Sequence, residues 1–199
     1  MTQHYFTANP VAKNDKKTFE YTLNGITLSF DTDSGVFSRD GLDEGSKLML
    51  LSLPLLQGSI LDLGCGYGAI GLFLAAQNPL ATVALADINE RAVELCAQNI
   101  EKNALPNAQA ICSDGFDNTA AQYNHIVTNP PIRAGKKVYY AWFEEAVNRL
   151  QPGGSFFAVI RKQQGAESAQ KKLQAVFGNC TRIARDGGFW ILQCVKDDE

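Results

Sequence analysis

No apolar run in this sequence approaches the roughly 20 residues that a membrane-spanning helix needs. The opening residues, MTQHYFTANP, contain neither an apolar core nor a cleavage signature, so no secretory leader is expected and a cytoplasmic location is. Cysteine pairs are also missing. Cys65, Cys96, Cys112, Cys180 and Cys194 are scattered, odd in number and without a CxxC spacing. That pattern argues against a disulfide framework and against a zinc site. Reduced thiols in or near the core are expected, and no metal site. Histidine is scarce: His4 and His125 suggest nothing catalytic, and His125, in an apolar strand, reads as a satisfied buried side chain. Repeats and low-complexity stretches are absent. Net positive charge is lacking as well, since the chain carries −3, which argues against a general nucleic-acid binder.

What is present fits one domain with one core and leaves room for a short appendage: 199 residues, 45% hydrophobic and 20% charged. The charge is unevenly spread. Residues 133–172 hold Arg133, Lys136, Lys137, Arg149, Arg161, Lys162, Lys171 and Lys172 against Glu144, Glu145 and Glu167, a local excess of +5. Such a region either meets phosphates or is a set of solvated helix faces.

Residues 18–31 read as two β-rich runs around Asn24-Gly25, a strong hairpin signal. Residues 32–41 are a turn-rich loop. A helical pattern runs from Leu42 to Leu53, with Asp43 near its start and Pro54 closing it. Strands over 59–63, 81–86, 108–112, 124–128 and 155–160 then alternate with helices over 69–76, 89–102, 138–150 and 166–177. Pro152-Gly153-Gly154 stops the third of these helices. This alternation implies a mainly parallel sheet covered on both faces. Strands over 179–185 and 188–195 are joined only by Asp186-Gly187, so they pair antiparallel. In helix 138–150, Tyr139, Trp142 and Phe143 read mostly as core.

Residues 60–71, ILDLGCGYGAIG, turn a strand into a helix through Gly64, Gly66 and Gly68. Glycines let a ligand approach the backbone, and the helix N-terminus offers N–H groups to a negative group. Gly66, Gly68 and Gly71 also satisfy GxGxxG, which alone suggests NAD. Two features argue otherwise. Gly64 directly follows the strand and sets a GxGxG phase, which leaves Gly71 inside the helix as a packing glycine. Asp62, just before, suits a ligand with a cationic amino group better than a pyrophosphate. Asp87 ends the next strand and can accept hydrogen bonds from both hydroxyls of a ribose, or cap the following helix. Asp114-Gly115, after the third strand, either sets a carboxylate near an adenine amino group or is only a turn.

Residues 126–132 read IVTNPPI. A strand delivers Asn129 at its carboxyl end, and two prolines stiffen the backbone behind it. An exocyclic amine on a base is conjugated with its ring and is a poor nucleophile. Two fixed acceptors, the Asn129 side-chain oxygen and the Pro130 carbonyl, would free its lone pair and stabilise positive charge growing on nitrogen. No strong base is needed, because the alkylated nitrogen becomes acidic. A target base would have to leave its stack.

The combination of LDLGCGYGAIG, Asp87 and TNPPIRAGK resembles the class I S-adenosylmethionine-dependent methyltransferases. Within them it resembles the "methyltransferase small domain" family, which includes the ribosomal small-subunit RNA guanine-N2 methyltransferases. SGVFSRDGLDEGSKLML (34–50) and RKQQGAESAQKKLQAVFGN (161–179) extend the likeness over about 18–195. The resemblance implies a Rossmann-like seven-stranded, mostly parallel sheet with helices on both faces, its last strand antiparallel, preceded by the hairpin. Residues 1–41 are then an extension packed on the core, and 42–199 the methyltransferase domain.

It further implies S-adenosylmethionine as cofactor, S-adenosylhomocysteine as product, and transfer to an exocyclic amine, with guanine N2 of small-subunit ribosomal RNA the favoured target. Asp62, Gly64, Cys65, Gly66, Gly68, Asp87, Ile88, Asp114 and Gly115 would bind the cofactor. Asn129, Pro130 and Pro131 would be catalytic. Phe37, Arg39, Ile132, Arg133, Lys136 and Lys162 would meet the substrate. Ile132 departs from the pattern, because that position often holds an aromatic residue that stacks on the base. Stacking would then come from Phe37, Tyr139 or Tyr140, or be replaced by apolar packing. Longer relatives carry an extra N-terminal domain, so RNA contacts are expected from residues 1–40, the basic segment or a partner. The Asn-Pro-Pro motif alone also fits methylation of protein glutamine or DNA adenine. An NAD-dependent oxidoreductase would leave it unexplained, and a non-catalytic nucleotide-binding module would not need Asn129. A monomer is the simplest expectation for the oligomeric state.

Overall fold

The computed structural model describes residues 16–33 and 41–198. Strands β1 (Lys17–Leu23) and β2 (Ile26–Thr32) form the hairpin, with Asn24 and Gly25 both at positive φ in its turn. Helix α1 (Glu44–Ser52) begins at Asp43, whose carboxylate accepts from the Gly45 and Ser46 N–H groups. The alternating unit follows: β3 (Ser59–Leu63), α2 (Ala69–Gln77), β4 (Thr82–Asp87), α3 (Glu90–Lys102), β5 (Ala108–Cys112) and β6 (Tyr123–Thr128). Then come α4 (Lys136–Arg149), β7 (Leu150–Arg161), α5 (Ala166–Phe177), β8 (Thr181–Asp186) and β9 (Phe189–Val195).

The seven-stranded sheet has the order β5-β4-β3-β6-β7-β9-β8. Every pairing is parallel except those of β9, which runs antiparallel to both β7 and β8. Strand period 2 explains the two cores. Ile60, Val83, Leu85, Val127, Phe157 and Val159 lie on the face covered by α1, α2, α3 and the hairpin, while Leu61, Leu63, Ile126, Phe156, Ala158 and Ile160 face α4 and α5. Among the described residues, no helix is long and apolar enough to cross a membrane.

The hairpin is joined to the sheet's helices by polar as well as apolar contacts. Phe30 packs near Phe19, Tyr67 and Phe73. Asn99 and Asn103, one turn apart on α3, accept from the Asp31 and Ser29 N–H groups and donate back to the carbonyls of the same residues. Arg91 pairs with Asp33 just beyond β2.

Two expectations need correction. The Pro152-Gly153-Gly154 stop ends α4 but does not delay β7 to residue 155. On the β6 side Leu150 pairs with Tyr123 across an irregularity before His125. On the β9 side Gly153 N–H donates to the Lys196 carbonyl and Lys196 N–H to the Gly154 carbonyl, so pairing carries β7 through the segment. His125 is half-buried rather than buried, and its Nδ1 makes no hydrogen bond. Desolvation holds its pKa below the usual histidine value, so it packs as a neutral ring near Phe157.

Candidate active site

β3, β4, β5 and β6 run parallel, so their carboxyl ends lie along one edge of the sheet. Register places Leu63 beside Ala86 and Thr128, and Asp87 beside Cys112. The chain winds outward from β3 to β4 and β5, then crosses back to β6 on the other side of β3. A crevice forms at such a reversal, outside the strand ends. The glycine loop, Asp87-Ile88, Asp114-Gly115 and Asn129 all lie along it.

The loop is tightly built. Gly64 and Cys65 N–H groups donate to the Ala86 carbonyl at 2.8 and 3.0 Å, and Gly66 N–H donates to Asp87 Oδ2 at 2.8 Å. Gly68 adopts φ 95° at the start of α2 and offers no capping side chain, so this helix end presents backbone N–H groups. Gly71 has the packing role: a Cβ there would sit 2.2 Å from Leu85 Cδ2 and 3.0 Å from Asp62 Oδ2. Cys65 contributes backbone only; its thiol is buried against Cys96, and burial pushes it up and keeps it protonated.

Asp62 is buried and accepts from the Gly71 N–H at 2.8 Å. Burial, with the nearby Asp87 charge, pushes its carboxyl up to about 7 despite that hydrogen bond. Asp87 is also raised by burial, while Oδ1 and Oδ2 each accept a backbone N–H, from Asn89 and Gly66. Four acceptor directions on a carboxylate leave room for further donors. Asp87 is not the α3 cap; Asn89 is, accepting from Arg91 and Ala92 N–H groups. Asp114 is exposed beside buried Gly115, in a turn where Ser113 Oγ donates to the Gly115 carbonyl at 3.0 Å. The 113–122 connection carries no helix, and Trp142 reaches across from α4. A Cβ on Gly64 would lie 3.2 Å from its ring, and one on Gly115 3.1 Å from its Nε1. Half-buried Trp142 thus lines both loops rather than only the core. One buried and one half-buried carboxylate, a helix end whose N-cap glycine brings no side chain, and an indole suit a ligand that combines a cationic amine, a ribose diol and a planar base.

Thr128 Oγ donates to the Leu63 carbonyl at 2.8 Å and ties the tip of β6 to that of β3. Asn129 follows, half-buried. Pro131, at φ −74° and ψ 77°, forms an inverse γ-turn in which Ile132 N–H donates to the Pro130 carbonyl at 2.8 Å. That carbonyl therefore has one lone pair committed and one left for a substrate. The Asn129 amide nitrogen lies 3.1 Å from Ser46 Oγ and 3.4 Å from each Asp43 carboxylate oxygen. Asp43 and Ser46 were legible in the sequence only as a helix start; nothing in their spacing from residue 129 announces the contact.

Ile132 is half-buried against the α4–α5 core. Tyr139 is 1% exposed, too buried to stack on a base. Tyr140 is engaged by Tyr139 and Phe143, with Lys172 over its ring. Phe37 and Arg39 lie outside the described residues. Arg133 and Lys136 are exposed just after β6, and Lys162 just after β7, on the same edge as Asn129. The rest of the basic segment is partly satisfied: Arg149 pairs with Glu145, Lys172 pairs with Glu144, and Arg161 lies over Phe189.

A family profile described as Methyltransferase small domain matches residues 27–193. An uncharacterized protein, YbxB, of Bacillus subtilis (strain 168) is 42% identical over 98% of this chain and 100% of its own length. Ribosomal RNA large subunit methyltransferase G of Klebsiella pneumoniae (strain 342) is 35% identical over 96% of this chain and 52% of its own. A solved T. thermophilus 16S rRNA N2 methyltransferase (RsmC), in complex with AdoMet and guanosine, superposes with a TM-score of 0.83 at 31% identity. It matches 95% of this chain and 52% of its own, so the chain spans about half the length of these two ribosomal RNA methyltransferases.

Proposed function

Since the chain belongs to the methyltransferase small domain family, we propose that it transfers the methyl group of S-adenosylmethionine to an exocyclic amine of a ribosomal RNA base, guanine N2 first. The observation that carries this reading is Asn129-Pro130-Pro131 at the reversal point of the sheet, beside the glycine loop. An oxidoreductase has no use for two rigid acceptors there.

Bound S-adenosylmethionine supplies an electrophilic methyl group. Asp62 receives its ammonium, the α2 N-terminus its carboxylate, and Asp87 the ribose hydroxyls. Ile88, Asp114, Gly115 and Trp142 enclose the adenine. Asn129 Oδ1 and the second lone pair of the Pro130 carbonyl accept the two target N–H bonds, which localises the lone pair on nitrogen and orients it. Ile132 offers an apolar face where an aromatic ring is often found. Arg133, Lys136 and Lys162 form a basic rim suited to phosphates. The basic rim favours RNA over a protein glutamine.

The test is methyl transfer from labelled cofactor to unmethylated small and large ribosomal subunits and to their naked RNA, followed by nucleoside analysis. N2-methylguanosine is the expected product. Label on another base, or on protein only, would replace the substrate assignment, and stabilisation by NAD but not by S-adenosylhomocysteine would overturn the reaction.

The carboxyl of Asp62, pushed up to about 7 and paired with an ammonium, makes a pH prediction. Below that value the carboxyl must lose a proton before pairing. Affinity for S-adenosylhomocysteine is expected to rise about tenfold per pH unit from pH 5.5 to 7 and then level off. Stability of the ligand-free protein runs the other way. The raised folded-state pKa favours the protonated form, so this contribution is present in acid and lost as pH rises from about 4 toward 7. Calorimetric titration and thermal melting of wild type and Asp62→Asn check both trends. A pH-independent affinity in the wild type would remove Asp62 from the ammonium.

A further inference from the structure

We propose that Asp43 and Ser46, at the N-terminus of α1, are positioning residues that fix which end of the Asn129 amide faces the substrate. The inference rests on the assignment of Asn129 as an acceptor for the target amine.

An asparagine amide has a donor end and an acceptor end of nearly the same shape, and only the oxygen can receive an N–H bond. Rigid prolines fix the backbone of Asn129 but do not choose between the ends. The surroundings do. Its Nδ2 faces Ser46 Oγ at 3.1 Å and both oxygens of Asp43 at 3.4 Å. Turning the amide over would set Oδ1 against a carboxylate, a repulsive contact. Asp43 and Ser46 therefore commit both amide hydrogens inward and leave Oδ1 for the substrate. A carboxylate behind the NH2 group also polarises the amide, which makes Oδ1 a better acceptor for a nitrogen gaining positive charge.

The mount is itself fixed. Asp43 Oδ1 accepts from Gly45 and Ser46 N–H groups at 3.1 Å as the α1 cap. Gly45 allows the helix start to press on β9, since a Cβ there would lie 2.8 Å from Phe189 Cδ1. Ser46 is 3% exposed. The start of α1, backed by β9, thus meets the end of β6 at one amide, and the LDEGS segment gains a role beyond starting a helix.

Asp43→Asn separates positioning from folding. Asparagine caps helices as well as aspartate does, so α1 is retained. Its new NH2 group, however, replaces an acceptor beside Asn129 Nδ2 with a donor. Melting temperature and S-adenosylhomocysteine affinity are expected to stay near wild type. Turnover on the RNA substrate should fall about 10- to 100-fold with KM little changed. In ¹⁵N spectra, the Asn129 side-chain NH2 pair, identified by its loss in Asn129→Ala, should shift and exchange faster with water. Ser46→Ala keeps the cap and loses the shorter contact, so it gives the same pattern, about tenfold in turnover, should Asp43→Asn fail to fold. Wild-type turnover with unmoved NH2 resonances in the folded variants overturns the inference. Should wild type methylate no RNA, the proposed function fails separately, and the NH2 resonances still decide whether Asp43 and Ser46 hold the amide.

Discussion

Asn129→Ala is expected to lower methyl transfer by about 10²–10³-fold, the usual cost of removing one preorganised contact to developing charge. S-adenosylhomocysteine affinity should change less than about twofold, because the cofactor's proposed partners lie on β3, the glycine loop, the carboxyl ends of β4 and β5 with the turns after them, and α4, and do not include Asn129. The fold should survive, since the strand tip is held by Thr128 Oγ on the Leu63 carbonyl and not by Asn129. Single-turnover assays with labelled cofactor, alongside calorimetry, measure both quantities. A variant that keeps wild-type turnover would show that the Pro130 carbonyl alone suffices, and one that loses cofactor affinity instead would move Asn129 into the cofactor site.

Gly71→Ala is expected to destabilise the protein although it places a better helix former in α2. Exchanging glycine for alanine inside a helix gains about 1 kcal/mol. Here the added methyl would sit 2.2 and 2.5 Å from Leu85 Cδ2 and Cγ, and Leu85 is fully buried. Overpacking of that kind costs roughly 3 kcal/mol, so the net loss is about 2 kcal/mol, or a melting point lower by about 4–8 °C. Because the same methyl presses on Asp62 Oδ2, ligand affinity should fall too. A raised melting point would mean that Leu85 repacks without cost. In the string Gly66, Gly68 and Gly71, the first two glycines serve the turn and the third serves packing of α2 on β4.

Most of the fold was legible because period and punctuation agree along the chain. β5 and α5 occupy the residues expected, and the last two strands pair antiparallel as expected, although their turn is Gly187-Gly188, one residue later than Asp186-Gly187. Errors fell where partners distant in sequence decide. Lys196 extends β7 through a Pro-Gly-Gly segment that local rules read as a break. Of the two readings of Asp87, the helix cap falls to its near neighbour Asn89, which leaves that carboxylate for the loop. Within the site, the glycine loop and Asn129 carry local motifs and could be read directly. Asp43 and Ser46 lie 86 and 83 residues from Asn129 and needed the fold to bring them there. Trp142 read as one member of an aromatic stripe; its other face became apparent only with Gly64 and Gly115 in place. Tyr139 fits both a core stripe and a stacking role in the sequence, and its burial decides for the core.

One Nδ2 group on α3 links two regions that the sequence separates. Asn99 donates to the Asp31 carbonyl in the hairpin and to the Tyr67 carbonyl in the glycine loop, at 3.0 and 2.9 Å. The same residue accepts from Asp31 N–H, and Asn103 treats Ser29 likewise. Strand β2 therefore has an occupied edge and offers little to a foreign strand. The glycine loop and the hairpin also share one anchor, so an opening motion that frees either strains the other. In hydrogen-exchange terms, they belong to a single opening unit.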